Sequence, residues 1–239
     1  MTLDPGMEDS VSASIKPSPG ENDYYWKFCR YILDHLPKFD RTPDGFALES
    51  DSGLIIDLKN GRSALDNLAQ IVMDTFPSDE ERIAGATLLL CQEGLMVSSG
   101  IGERLSQRFG GPGILRVGAA FCSSYAELLR DVVNRMKDSE GNPFNACVVN
   151  CKRGPADTFG WPNHWLVGVA YHDEITLIDA ELGIIFIQPD NGRLVTLEQL
   201  IERPELAERT AYGFSEYFLK RPLEDFHVRE YGDLWNEWF

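Results

Sequence analysis

Cys122, His164 and Asp179 combine the residue types and the chain order needed for thiol chemistry. The stretch 118–133 reads GAAFCSSYAELLRDVV, so Cys122 stands where a weakly patterned segment becomes a good helix. A helix start is electropositive and presents free N–H groups, which favours thiolate over thiol. Cysteine is also among the most buried residue types, so the same position suits a core filler. His164 opens the stretch HWLVGVAY, and Asp179 ends the stretch ITLID. In a working set, Cys122 would supply the nucleophilic sulfur. His164 would take its proton and later return it to the leaving group. Asp179 would fix the tautomer of the imidazole and stabilise its charged form.

The geometry rests on a hairpin. Residues 164–171 alternate apolar and other positions, as do residues 175–179, and both read as strands. If His172 and Asp173 form a two-residue turn, Tyr171 pairs with Glu174 and Leu166 with Asp179. Asp179 then shares a face with His164 and lies diagonally beside it, within side-chain reach. A slip of one residue would separate them.

The remaining elements follow from periodicity. Residues 1–22 are rich in Ser, Pro, Gly and acids and read as a disordered tail. From Asp23 onward Tyr25, Phe28, Cys29, Tyr31, Ile32 and Leu36 trace a helical face. Residues 40–60 are turn-rich, with one short strand expected near Leu54–Leu58. Helices are expected over 64–76 and from Ser78, where Ser78 and Glu81 form a capping box. The Gly110-Gly111-Pro112-Gly113 run breaks structure and lacks the spacing of a phosphate loop. In the helix after it, Cys122, Tyr125, Ala126, Leu129, Val132, Val133 and Met136 form one stripe. Strands follow over 145–150, 164–171, 175–179 and 184–188. Helical signals return at 196–202 and 204–209, with a last strand over 212–219. The expected class is α+β, with N-terminal helices packed on an antiparallel β-sheet.

Bulk properties bound the function. The chain has 239 residues, 43% of them hydrophobic, enough for one substantial core. With 38 acids against 22 bases its net charge is −16, which argues against a nucleic-acid partner. No apolar run is long enough to cross a bilayer, and no secretory leader is visible, so neither a membrane partner nor export is expected. Five scattered cysteines, Cys29, Cys91, Cys122, Cys147 and Cys151, do not form a disulfide framework and point to the reduced cytoplasm. Cys147 and Cys151 lack the paired spacings of a zinc site, so no metal and no cofactor is expected.

The pattern around the three residues resembles the transglutaminase-like superfamily, relatives of the papain-type cysteine proteases. The resemblance covers roughly residues 100–200. It rests on Cys122-Ser-Ser-Tyr125-Ala126-Glu-Leu-Leu, on His164-Trp165, and on Asp179 some fifteen residues further on. The chain departs from the family at Phe121 and Ser123, which flank Cys122 where a Gly is common. It departs again at Trp165, where Ala often follows the His, and at Ala180, where Pro is frequent. The resemblance implies a papain/transglutaminase-like core and one domain over 23–239. Within it, a helical part would span 23–117, the catalytic core about 118–200 and a C-terminal extension 201–239. It implies an enzyme, a hydrolase or acyltransferase acting on an amide through an acyl-thioester. The substrate would be a peptide, a protein or a small molecule. Trp161 and Asn163, beside His164, are candidate substrate-binding residues, with core packing the alternative for Trp161. The other functional reading is a transglutaminase-like scaffold that has lost catalysis. The aromatic C-terminus YGDLWNEWF, residues 231–239, offers a surface for packing on the domain or for self-association.

Overall fold

The structure is a computed structural model of the whole chain. It describes residues 24–42, 45–48, 51–57, 60–90, 98–99, 111–116, 119–120, 122–152, 163–181, 183–188 and 191–203. The expected tail over 1–22, the helix over 204–209, the strand over 212–219 and the aromatic C-terminus lie outside these residues, as does Trp161.

The chain is α+β, with three sheets among the described residues. Helix α1 (Tyr24–His35) buries Phe28 and Ile32. It leads into β1 (Phe39–Arg41), β2 (Gly45–Leu48) and β3 (Asp51–Asp57), an antiparallel meander. The sequence suggests only one short strand here, so the N-terminal half is not purely helical. The strands are short and broken by Asp, Pro and Gly, which hides their alternation. Their buried members Phe39, Phe46 and Ile56 nevertheless join the main core.

Helix α2 (Gly61–Thr75) starts at Asn60, whose Oδ1 accepts the Ser63 N–H at 3.2 Å. Helix α3 (Asp79–Leu90) carries the expected box. Ser78 Oγ accepts the Glu81 N–H at 3.3 Å, and Glu81 Oε2 accepts the Ser78 N–H at 3.2 Å. Every residue from Ile83 to Leu90 is buried, so α3 is the central helix of the core. Two-residue strands β4 (Ser98–Ser99) and β5 (Ala119–Ala120) pair in parallel. Of the run Gly110-Gly111-Pro112-Gly113, expected to break structure, residues 111–113 instead open a helix over 111–116. Pro112 falls in the first turn, where its missing N–H costs no hydrogen bond.

Helix α4 (Cys122–Val133) precedes the second antiparallel meander. This is β6 (Ala146–Lys152), β7 (Asn163–Tyr171), β8 (Glu174–Asp179) and β9 (Ile184–Ile185), paired in that order. Helix α5 (Leu197–Glu202) begins at a capping box between Thr196 and Gln199. The meander has two different sides. Val167, Val169 and Tyr171 of β7 share one core cluster with Ile178 and Ile185 and with Ala126, Leu129 and Val133 of α4. Leu166, Leu177, Ile184 and Leu200 are buried outside that cluster. Strand alternation puts the first three on the other side, where α5 packs against β8. No helix among the described residues is long and apolar enough to cross a membrane.

Candidate functional site

The β7–β8 hairpin turns through His172 and Asp173, whose φ values of 49° and 63° are both left-handed. Two such residues make the turn whose twist matches the flanking strands. Tyr171 consequently pairs with Glu174, and the ladder runs on to Val167 opposite Ile178. One more step of this register sets Leu166 opposite Asp179. Position 164 has the parity of 166, so positions 164, 166 and 179 belong to one side of the sheet. Diagonal neighbours of this kind have Cα atoms about 7–8 Å apart.

Asp179 is fully buried, the last residue of β8, and pairs with Ile184 on β9. Its Oδ1 accepts the Glu181 N–H at 3.1 Å, which shapes the turn into β9. The carboxylate therefore has a structural task as well as any chemical one.

Cys122 is a free, partly exposed thiol at the first position of α4. No acidic side chain lies in the first turn of the helix to oppose its dipole. The other end of α4 is pinned to β6. Asn134 donates from Nδ2 to the Ala146 carbonyl at 3.0 Å and accepts the Ala146 N–H on Oδ1 at 2.7 Å. From that pin the helix packs along β6 and β7. A helix of 12 residues covers about 18 Å, close to the span of the seven-residue β6. The helix shares its core cluster with Val167 and Val169 of β7, whereas position 164 has the opposite parity on that strand. The apolar face of α4 lies on the side opposite to positions 164, 166 and 179.

Asn163, the other described candidate for substrate binding, is the first residue of β7. Trp165 packs against the main core, in keeping with its parity.

One residue of this neighbourhood escapes sequence reasoning. The β6–β7 register sets Cys151 directly opposite His164. Residues 153–162 join the two strands with no tight turn signal to fix a register, so the pairing is not readable from sequence. Among the described residues no group of three His, Cys, Asp or Glu is placed to hold a metal ion.

No protein-family model matches the chain, and neither curated proteins nor solved structures yield a match.

Proposed function

We propose that this protein is a cysteine-dependent enzyme of amide chemistry on a papain/transglutaminase-like core, working in the cytoplasm. Cys122 gives its proton to His164, and the thiolate attacks an amide carbonyl. The tetrahedral intermediate collapses as His164 protonates the leaving amine, which leaves an acyl-thioester on Cys122. Water or a second amine, deprotonated by His164, then attacks the thioester and releases Cys122. Asp179 orients the imidazole throughout. Water would make the protein a peptidase, amidase or deamidase, and an amine would make it an acyltransferase. The Cys122 N–H at the helix start is one candidate oxyanion donor.

The observation that supports this reading is the hairpin register, in which Tyr171 pairs with Glu174 and Val167 with Ile178, so that one further step would set Asp179 opposite a residue of the same parity as position 164. One feature favours a second reading, a scaffold without catalysis: α4 packs on the side of the sheet away from positions 164 and 179.

The test is iodoacetamide labelling of each cysteine across pH, read by peptide mass spectrometry in wild type and His164→Ala. An active pair predicts that Cys122 labels rapidly below neutral pH and that the variant loses this advantage. A Cys122 whose reactivity is ordinary and identical in both proteins would sink the enzyme reading in favour of the scaffold.

A further inference from the structure

We propose that the outer edge of β6 is a self-association surface, on which two copies of this chain pair their β6 strands antiparallel about a two-fold axis at Asn150. The inference is independent of the reading above and uses neither Cys122 nor His164. Strand β6 ends the order β6-β7-β8-β9, with no further strand beside it among the described residues. The ladder fixes which of its backbone groups face outward. The Asn145 carbonyl accepts the Ala170 N–H at 2.8 Å, so positions 145, 147, 149 and 151 bond toward β7. Positions 146, 148, 150 and 152 bond away from it. The Asn134 amide agrees, since it holds both backbone groups of Ala146. Among the described residues no hydrogen bond reaches the outward groups of Val148 or Asn150.

The strand also lacks the devices that keep an edge from pairing. Edge strand β1 carries Asp40 and Arg41, and edge strand β3 begins and ends with Asp. Edge strand β9 has only two residues. Strand β6 has seven, with no proline and no charge before Lys152. The uncharged run extends from Gly141 to Cys151 in a chain of net charge −16. Copies of so acidic a chain repel each other, and they can approach closely only where the surface is neutral. This run is such a place. A partner drawn by charge would find none here to read, whereas an identical strand matches it residue for residue.

Asn134 also sets the register. It occupies the outward groups of Ala146, so a second strand can bond only from position 148 onward. Strand β6 ends at Lys152, which leaves a free stretch centred on Asn150. Self-pairing about that centre sets Asn150 opposite Asn150, and Val148 opposite Lys152 of the second copy. The junction makes about six backbone hydrogen bonds and joins two four-stranded sheets into one. Both copies use the same edge, so the assembly closes as a dimer. An axis at Val149 would instead set Lys152 of one copy against Ala146 of the other, whose groups Asn134 already holds.

The experiment follows the full chain by sedimentation equilibrium and by amide hydrogen exchange over a wide range of protein concentration. We expect the dimer fraction to rise with concentration, and exchange at Val148 and Asn150 to slow with it by at least about 10-fold. Asn150→Pro removes an N–H that β6 does not use within its own sheet, a place where an edge strand tolerates proline. Asn150→Glu sets two carboxylates opposite each other on the axis. Both variants should be monomers throughout, with the circular dichroism of wild type. Oxidised Asn150→Cys should give a disulfide between the two copies at position 150, since residues of a bonded pair have Cα atoms about 5.5 Å apart. A wild type that is monomeric at every concentration would overturn the proposal. Slow exchange at Val148 and Asn150 in that monomer would give the edge to another segment of the same chain, and fast exchange would leave it bare. A dimer that survives both Asn150→Pro and Asn150→Glu would also overturn it and move self-association to another surface, the aromatic C-terminus first.

Discussion

Asn134 holds both backbone groups of Ala146, with its Nδ2 on the carbonyl at 3.0 Å and its Oδ1 on the N–H at 2.7 Å. One residue past α4 is thereby fixed to the first residue of β6, and the helix that begins at Cys122 takes its direction from this clasp. Asn134→Ala leaves a donor and an acceptor without protein partners at a part-buried position. The expected loss is about 1–3 kcal/mol, read as a lower urea midpoint at unchanged slope. A midpoint equal to that of wild type would show that the packing of α4 alone sets its position.

Tyr171 joins the meander to the central helix, since its hydroxyl donates to Glu80 Oε1 at the start of α3. Burial first, and then the Glu80 carboxylate, push its hydroxyl well above the ordinary tyrosine range. The unfolded chain releases this proton near pH 10 while the folded chain keeps it. Stability from this group is therefore complete below about pH 10 and falls as pH rises beyond it. Tyr171→Phe should flatten that alkaline decline in denaturation curves taken on either side of pH 10. An identical decline in the variant would assign it to other groups.

How much of this could be read from the sequence depends on how tightly each segment constrains itself. The β7–β8 hairpin was legible because strict alternation meets a two-residue turn, which leaves a single register that keeps Val167, Val169 and Ile178 in the core. The start of α3 was legible because Ser78 and Glu81 form a local pair. Strands β1–β3 were not, because runs as short as Phe39–Arg41 carry too few alternations to outweigh their turn residues. Helix 111–116 was hidden by its own glycines. Cys122 as a helix start and the pairing of Tyr171 with Glu174 were both readable. The partnership of Cys151 with His164 was not, because it depends on a register that residues 153–162 do not encode locally.

Gly85 lies on α3 against Phe76, and a Cβ there would come within 2.4 Å of the ring. Ala in place of Gly ordinarily favours a helix by about 1 kcal/mol. Here the ring is fully buried and the core around it must shift, at a cost of about 1–3 kcal/mol. Gly85→Ala should therefore lower thermal stability, and Phe76→Leu in the same chain should recover part of the loss. A Gly85→Ala protein more stable than wild type would mean that Phe76 relaxes freely.

Asp173 closes the hairpin turn at φ 63°, a conformation that costs a residue with a Cβ about 1 kcal/mol. Asp173→Gly removes that strain and leaves the His172–Tyr171 ring contact in place. A gain of about 0.5–1 kcal/mol is expected from thermal or urea denaturation. A loss instead would show that the greater freedom of glycine in the unfolded chain outweighs the relief.

Asp179 separates structure from chemistry most sharply. Its Oδ1 accepts the Glu181 N–H inside a fully buried corner of the sheet. Asp179→Ala removes that acceptor and should destabilise by about 1–3 kcal/mol whatever the protein does. Asp179→Asn keeps a carbonyl oxygen that can accept the same N–H, so its fold should be nearer to wild type. What Asn lacks is the negative charge that backs an imidazolium. In the enzyme reading, Asp179→Asn should therefore lose the labelling advantage of Cys122 below neutral pH while remaining folded by circular dichroism. An Asp179→Asn protein that is folded and labels at Cys122 like wild type would confine Asp179 to its turn and remove it from the chemistry.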